Sequence, residues 1–448
     1  MQATWIEEKA RPGSAATKPR SLGEKGRRPL VYGALVAFSA LYYYRPEDFI
    51  PWLGYVPMAK IAAIIGVIAL IGGASGRNKI KVPTAVKVLL LLLLQMSLAI
   101  PFAIWRGGAF ATVFDKFSKG VIVALLVSTA VVTVKELRKL LWIQVSAVAL
   151  VTFVSIVLRH HDVDGRLTGV QYGILENPND LAINIAISFP IVVAFLLGAR
   201  GWRKAIWGAA IGVMCLGIVL TYSRSGLLAF LLTVAACVWK YGIKGKRHYI
   251  VAVAGGTLVL GMALALSMGS YRARVESIFL GNVAGSNDKG SLEARKQLLK
   301  KSVLVAVQHP IFGVGPGCFP LVDQGWRVAH NSYTELAAEA GFPALILFLL
   351  AIGAAFKNLS KVRASEKYNH DVEFRVITQA VWAALVAYLL GSAFASTEYN
   401  LYPYFMVGYT CAMVRIAAHS RAEQAEGNRS LNKTPYGSAR KPQIIWNR

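Results

Sequence analysis

Arginines and histidines of this chain gather in the short polar segments that separate its long apolar runs. Arg159, His160, His161 and Arg166 lie in one such segment, and Tyr222, Ser223, Arg224 and Ser225 fill a very short turn. Arg295 stands in a long polar stretch that His330 and Asn331 end. Arginines converging from separate loops suit a pyrophosphate or sulfate, because guanidinium forks bind oxyanions bidentately and stay charged. A histidine beside them can orient or deprotonate a hydroxyl near neutral pH.

Each of these residues also has a plainer reading. Arg224 sits in a turn too short to carry it far from the bilayer, so it either snorkels to lipid phosphate or serves a function; the flanking donors Ser223 and Ser225 favour function. Taken alone, His330 reads more readily as a cap or a solvated side chain than as a catalytic group. Glu335 and Glu339 are four apart and share a helix face, where a loop arginine could pair with them. The string His161-Asp162-Val163-Asp164 invites a metal reading, but two acids with one spacer are common in polar loops, and a solvated loop is favoured. Asn177, Pro178, Asn179 and Asp180 read as a turn and an N-cap.

The elements that must position these residues are transmembrane helices. Of the 448 residues, 55% are hydrophobic and 16% charged, with a mean hydropathy of +0.48, which is too apolar for a water-soluble globule of this size. Runs such as Val88 to Trp105 are long enough to cross a hydrocarbon core as helices. Spans are expected near 30–46, 52–73, 85–105, 119–134, 140–158, 181–198, 204–221, 225–240, 249–269, 334–356, 375–396 and 402–418, about twelve in all. The formal charge of +26 would suggest nucleic acid in a soluble protein. Here the basic residues concentrate in alternate connections, such as KELRK, KYGIKGKRH and KNLSKVRASEK, which is the positive-inside pattern.

The expected organisation is therefore all-α and polytopic. A basic cytoplasmic tail (1–29), too long and polar for a cleavable signal, precedes nine spans (30–269). A large periplasmic loop (270–333), three further spans (334–418) and a polar cytoplasmic tail (419–448), expected to be disordered, follow. Within the large loop, SLEARKQLLKKSVLVAVQHP reads as an amphipathic helix along the membrane surface, with Leu292, Leu298, Leu299, Val303 and Val307 on its apolar face. GVGPGCFP must be irregular. Cys215, Cys237 and Cys411 fall in spans and Cys318 in the loop, so no loop disulfide is expected, and no Cys/His cluster has zinc spacing. No internal repeat is found.

Three segments taken together resemble the O-antigen ligase and polymerase superfamily of bacterial envelope glycosyltransferases: GRLTGVQYGILENPNDLAI from Gly165, TYSRSGLLAF from Thr221, and ARKQLLKKSVLVAVQHPIFGVGPGCF running on to AHNSYTELAAEAGFPALILF. The resemblance implies an architecture like that of C-type glycosyltransferases, with a periplasmic site in the bacterial inner membrane. It implies that Arg166, Arg224 and Arg295 grip the pyrophosphate of an undecaprenyl-pyrophosphate-linked glycan. His330 would activate or position the acceptor hydroxyl, supported by Ser223, Asn331 and Glu339, and the anomeric configuration would invert without metal or other cofactor. An O-antigen ligase, with lipid A core of lipopolysaccharide as acceptor, is the expected activity. A polymerase or a protein oligosaccharyltransferase using the same donor is the rival. A transporter of lipid-linked glycans is disfavoured, because charges are scarce within the spans and no halves repeat.

Overall fold

The computed structural model describes residues 28–73, 81–162, 165–169, 177–243, 286–322 and 327–433. Its main elements are α1 (Pro29–Tyr44), α2 (Met58–Gly72), α3 (Thr84–Ala99), α4 (Ser118–Ala130), α5 (Val134–Val157), α6 (Pro178–Gly198), α7 (Arg203–Leu220), α8 (Arg224–Cys237), α9 (Ser286–Gln308), α10 (Ser332–Arg363), α11 (Val372–Gly391) and α12 (Tyr402–Lys433). Among the described residues there are no strands, only an isolated bridge between His161 and Leu167.

Seven stretches are helical and apolar over enough residues to cross a membrane: Thr84–Phe102, Val134–Val157, Pro178–Gly198, Arg203–Leu220, Arg224–Ile243, Ser332–Arg363 and Val372–Gly391. α1 and α2 are shorter apolar helices. The protein is thus an all-α, multi-pass membrane protein. The span expected at 249–269 lies outside the described residues.

The distribution of apolar side chains follows from a lipid surrounding. α6 is apolar on every side and buried along nearly its whole length, so it runs through the centre of the bundle, packed by α7, α8 and α11. α2 and α3 instead turn Ile64, Ile68, Ile71, Leu91 and Leu94 outward, an exposed apolar band that water would penalise and acyl chains accept. α12 lies against α4 and α10, and α10 against α3 and α9.

Two sequence expectations are revised. α12 continues to Lys433, into the polar stretch from His419 that composition reads as disordered. That stretch is rich in Ala, Glu, Gln and Arg and meets no proline before Pro435, so nothing stops the helix. The faces of α9 are also divided differently: Leu298, Val305 and Ala306 are buried, whereas Leu299, Val303, Leu304 and Val307 are exposed. One flank packs on α10, and a separate apolar flank faces outward.

The fold turns sharply where α10 begins and again within it. Asn331 caps α10, its Oδ1 accepting from the amides of Tyr333 (3.0 Å) and Thr334 (3.1 Å). Eleven residues after His330, Gly341 leaves helical conformation (φ 82, ψ 169), and Pro343 has no N–H for the carbonyl of Glu339. The freed groups are taken up by the Gly-rich loop before α10. Val314 N donates to Ala338 O (2.9 Å), Gly315 N to Glu339 O (2.9 Å), and Phe342 N to Pro310 O (2.8 Å). HPIFGVGPG and AEAGFP are therefore one folded unit, two irregular segments that satisfy each other's backbone.

Candidate functional site

Three helices begin beside the basic residues singled out in the sequence. α6 starts at the cap Asn177, whose Oδ1 accepts from Asn179 N at 2.9 Å. α8 starts after Tyr222, in left-handed conformation (φ 47), and after the cap Ser223, whose Oγ accepts from Gly226 N at 3.1 Å. Arg224 and Ser225 are consequently the first residues of α8 rather than part of the turn. Arginine is disfavoured at a helix N-terminus, where the macrodipole is already positive. That unfavourable placement and the amide dipole both favour an anion at this point.

Arg166 ties two of these helix starts together. Its Nε donates to Thr221 O (3.2 Å) and its Nη2 to Asn179 Oδ1 (3.2 Å), the same oxygen that accepts from Ser223 Oγ at 2.6 Å. Asp162 shapes the turn ahead of it, since Asp162 Oδ1 accepts from Arg166 N (2.8 Å) while Asp162 N donates to Arg166 O (2.9 Å). The carboxylate that suggested a metal ligand is therefore engaged as a turn cap; Asp164 lies outside the described residues. Among the described residues no group of three His, Cys, Asp or Glu is placed to hold a metal.

His330 belongs to the same cluster. Its imidazole is pushed down from 6.5 to about 4, first by burial and then by the positive charges of Arg295, Arg166 and Arg327. Arg295, from α9, is itself lowered by burial and by Arg224. Arg166, Arg224, Arg295 and His330 thus converge from four separate segments, as their residue types suggested, and Arg327 joins them. Arg327 was visible in the sequence as one of many basic residues of the long loop, with nothing to set it apart.

The supporting residues occupy different places. Ser223 stands within the cluster through Asn179. Asn331 caps α10 and donates from Nδ2 to Ala393 O (3.0 Å). Glu339 is buried beneath the Gly-rich loop, accepting from Gly317 N (2.7 Å), Phe319 N (3.0 Å) and Tyr399 OH (2.5 Å). Glu335 accepts from Ala329 N at 3.0 Å and from the hydroxyl of Ser396. Among the described residues neither glutamate forms a salt bridge with an arginine; both hold backbone amides and hydroxyls.

Sequence reasoning missed the turn between α11 and α12. Ser332 Oγ donates to Ala395 O (2.7 Å) and accepts from Thr397 N (2.8 Å), while His330 N donates to Ser396 Oγ (3.1 Å). SAFASTEYN carries no recognisable signature, and its partners are groups at the start of α10, more than 60 residues away in sequence. The four cysteines are all free thiols, and Cys318 is buried.

As built, the site can take an anion with several negative oxygens against arginines and helix N-termini, beside a histidine that is neutral at neutral pH. Residues 209–349 match the model of a family described as O-antigen ligase. No curated protein matches the chain. The matched stretch contains Arg224, Arg295, His330, Asn331 and Glu339; Arg166 precedes it.

Proposed function

We propose, from the match of residues 209–349 to the O-antigen ligase family, that this chain transfers a polysaccharide from undecaprenyl pyrophosphate to a sugar hydroxyl of lipid A core. The reaction takes place on the periplasmic face of the bacterial inner membrane, with both chain termini in the cytoplasm. The observation that carries this reading is the convergence of Arg166 and Arg295 on a neutral, half-buried His330, with Arg224 beside Arg295.

In this mechanism the arginines and the N-terminus of α8 hold the donor's pyrophosphate. The acceptor hydroxyl attacks the anomeric carbon from the face opposite the pyrophosphate, so the configuration inverts. Its oxygen forms the new glycosidic bond, and its proton passes to the imidazole of His330. The bond from the anomeric carbon to the phosphate oxygen breaks with its electron pair on the oxygen, and undecaprenyl pyrophosphate leaves. A neutral imidazole is required at the start, and the depressed histidine supplies it at physiological pH. Fixed guanidinium charges meet the negative charge that grows on the leaving oxygen, where electrostatic stabilisation is most effective. The donor brings its own good leaving group, so the chemistry is proposed to need no metal or other cofactor.

The test is transfer by purified protein from an undecaprenyl-pyrophosphate-linked glycan, offered lipid A core and lipid-linked glycan as competing acceptors, with EDTA present. Glycan on lipid A core supports the ligase. Lengthening of the lipid-linked glycan alone would make the protein a polymerase. Loss of activity with EDTA, restored by a divalent ion, would refute metal independence.

A further inference from the structure

We infer that Glu335, acting through Ser396, is a positioning residue that fixes the backbone of His330 and so aims its imidazole at the acceptor. The inference rests on the proposed transfer reaction and deepens it. His330 adopts a left-handed backbone (φ 53), a conformation that a residue with a side chain holds only when its surroundings impose it. One carboxylate imposes it here. Glu335 Oε2 accepts from Ala329 N at 3.0 Å and from the hydroxyl of Ser396, and the same Ser396 oxygen accepts from His330 N at 3.1 Å.

Because the serine proton is committed to the carboxylate, the lone pairs of Ser396 are left for the amide of His330. The carboxylate therefore fixes two consecutive amides, one directly and one through the hydroxyl. Asn331 closes the arrangement from the other side, capping α10 and binding Ala393 O. Glu335 is buried, at 3% exposure, near the acidic side chains of Glu339 and Glu398, and no hydrogen bond among the described residues joins it to the arginine cluster. Its hydrogen bonds among the described residues are with a backbone amide and a hydroxyl, which separates a positioning role from a catalytic one.

Charge on Glu335 is then less important than an acceptor oxygen at its place. Ser396→Ala removes a single hydroxyl and should lower kcat on the order of 10–100-fold with the donor KM within about twofold, the loss expected from a misaimed group. It should also move the acid limb of kcat/KM upward from about 4 toward 6.5, as a loosened imidazole moves away from burial and the arginines. Ser396→Thr, which keeps the hydroxyl, and Glu335→Gln, which keeps an acceptor oxygen, should restore most of kcat, whereas Glu335→Ala should not. The experiment is the pH dependence of kcat and KM for these variants in the full-length protein, with thermal unfolding and His330→Ala alongside. Unchanged kcat and acid limb in Ser396→Ala would overturn the inference. A fall of kcat and Tm together with an unmoved acid limb would also overturn it, marking a merely structural contact. A fully active His330→Ala would instead overturn the transfer mechanism on which the inference rests.

Discussion

His330 is kept neutral by its neighbours, and that has a measurable sign. Burial and three arginines penalise the imidazolium, so the histidine protonates near 4 rather than 6.5 in the free protein. Activity governed by kcat/KM should therefore be flat through neutral pH and fall only as pH drops toward about 4. Bound donor changes this, because its phosphates offset the arginines and make the imidazolium less costly. The acid limb of kcat should accordingly lie at higher pH than that of kcat/KM, and the two profiles measured on one preparation will check it. A kcat/KM limb at 6.5 would mean that the histidine is not surrounded as described. The same depression costs stability in acid: between 6.5 and 4 the unfolded chain binds a proton that the fold does not, so stability falls as pH falls through that window. Arg166 and Arg224 stood out in the sequence because short polar segments between apolar runs leave few places for them, whereas Arg295 and His330, in and at the end of the long loop, stood out only through the family resemblance. Arg327 and Ser396 did not, because neither spacing nor residue type distinguishes a loop arginine or a turn serine that meets the site from one that does not.

The unit that carries His330 is a broken helix and the loop docked on its break. A Cβ on Gly341 would stand 2.2 Å from Ile311 O, and the glycine's φ of 82 is one that side chains rarely adopt. Gly341→Ala should shift the Gly-rich loop, with a fall in Tm of several degrees and at least a tenfold loss of transfer, consistent with about 1–3 kcal/mol of strain. Gly353, two helical turns or more further along α10, has nothing within 4 Å of an added Cβ. Gly353→Ala should leave activity unchanged and stabilise slightly, since glycine inside a helix costs about 0.5–1 kcal/mol relative to alanine. Thermal unfolding and transfer assays on the pair separate the break from the helix. The irregularity of GVGPGCFP was readable from its glycines and prolines, but its docking partner was not. The glutamates illustrate the limit: their i, i+4 spacing puts them on one face, yet it cannot show that backbone amides, rather than an arginine, await them. The apolar residues of α9 likewise gave the helix without revealing that Leu298 packs inward while Leu299 and Val303 look outward.

For the molecule as a whole, hydropathy gave the helical class and most of the spans, because a chain in lipid must satisfy its backbone within each helix. The proposed sidedness rests on the basic connections. Beyond its break at Gly341, α10 runs from Phe342 to Arg363, about 33 Å of helix at 1.5 Å per residue and long enough to cross a hydrocarbon core. With the four native cysteines replaced, His309→Cys in intact cells should react with a membrane-impermeant maleimide. Glu366→Cys should react only after the membrane is opened, and the reverse pattern would invert the proposed topology. The most direct test of the central claim separates donor binding from transfer in the purified full-length protein. Undecaprenyl-pyrophosphate-linked glycan binding and single-turnover transfer to lipid A core should be measured for wild type, His330→Ala and Arg224→Ala. The account predicts that His330→Ala binds donor as wild type does but transfers at least 100-fold more slowly, whereas Arg224→Ala loses donor affinity, on the scale of removing one oxyanion-binding group. Wild-type transfer by His330→Ala, or donor affinity unchanged in Arg224→Ala, would contradict it.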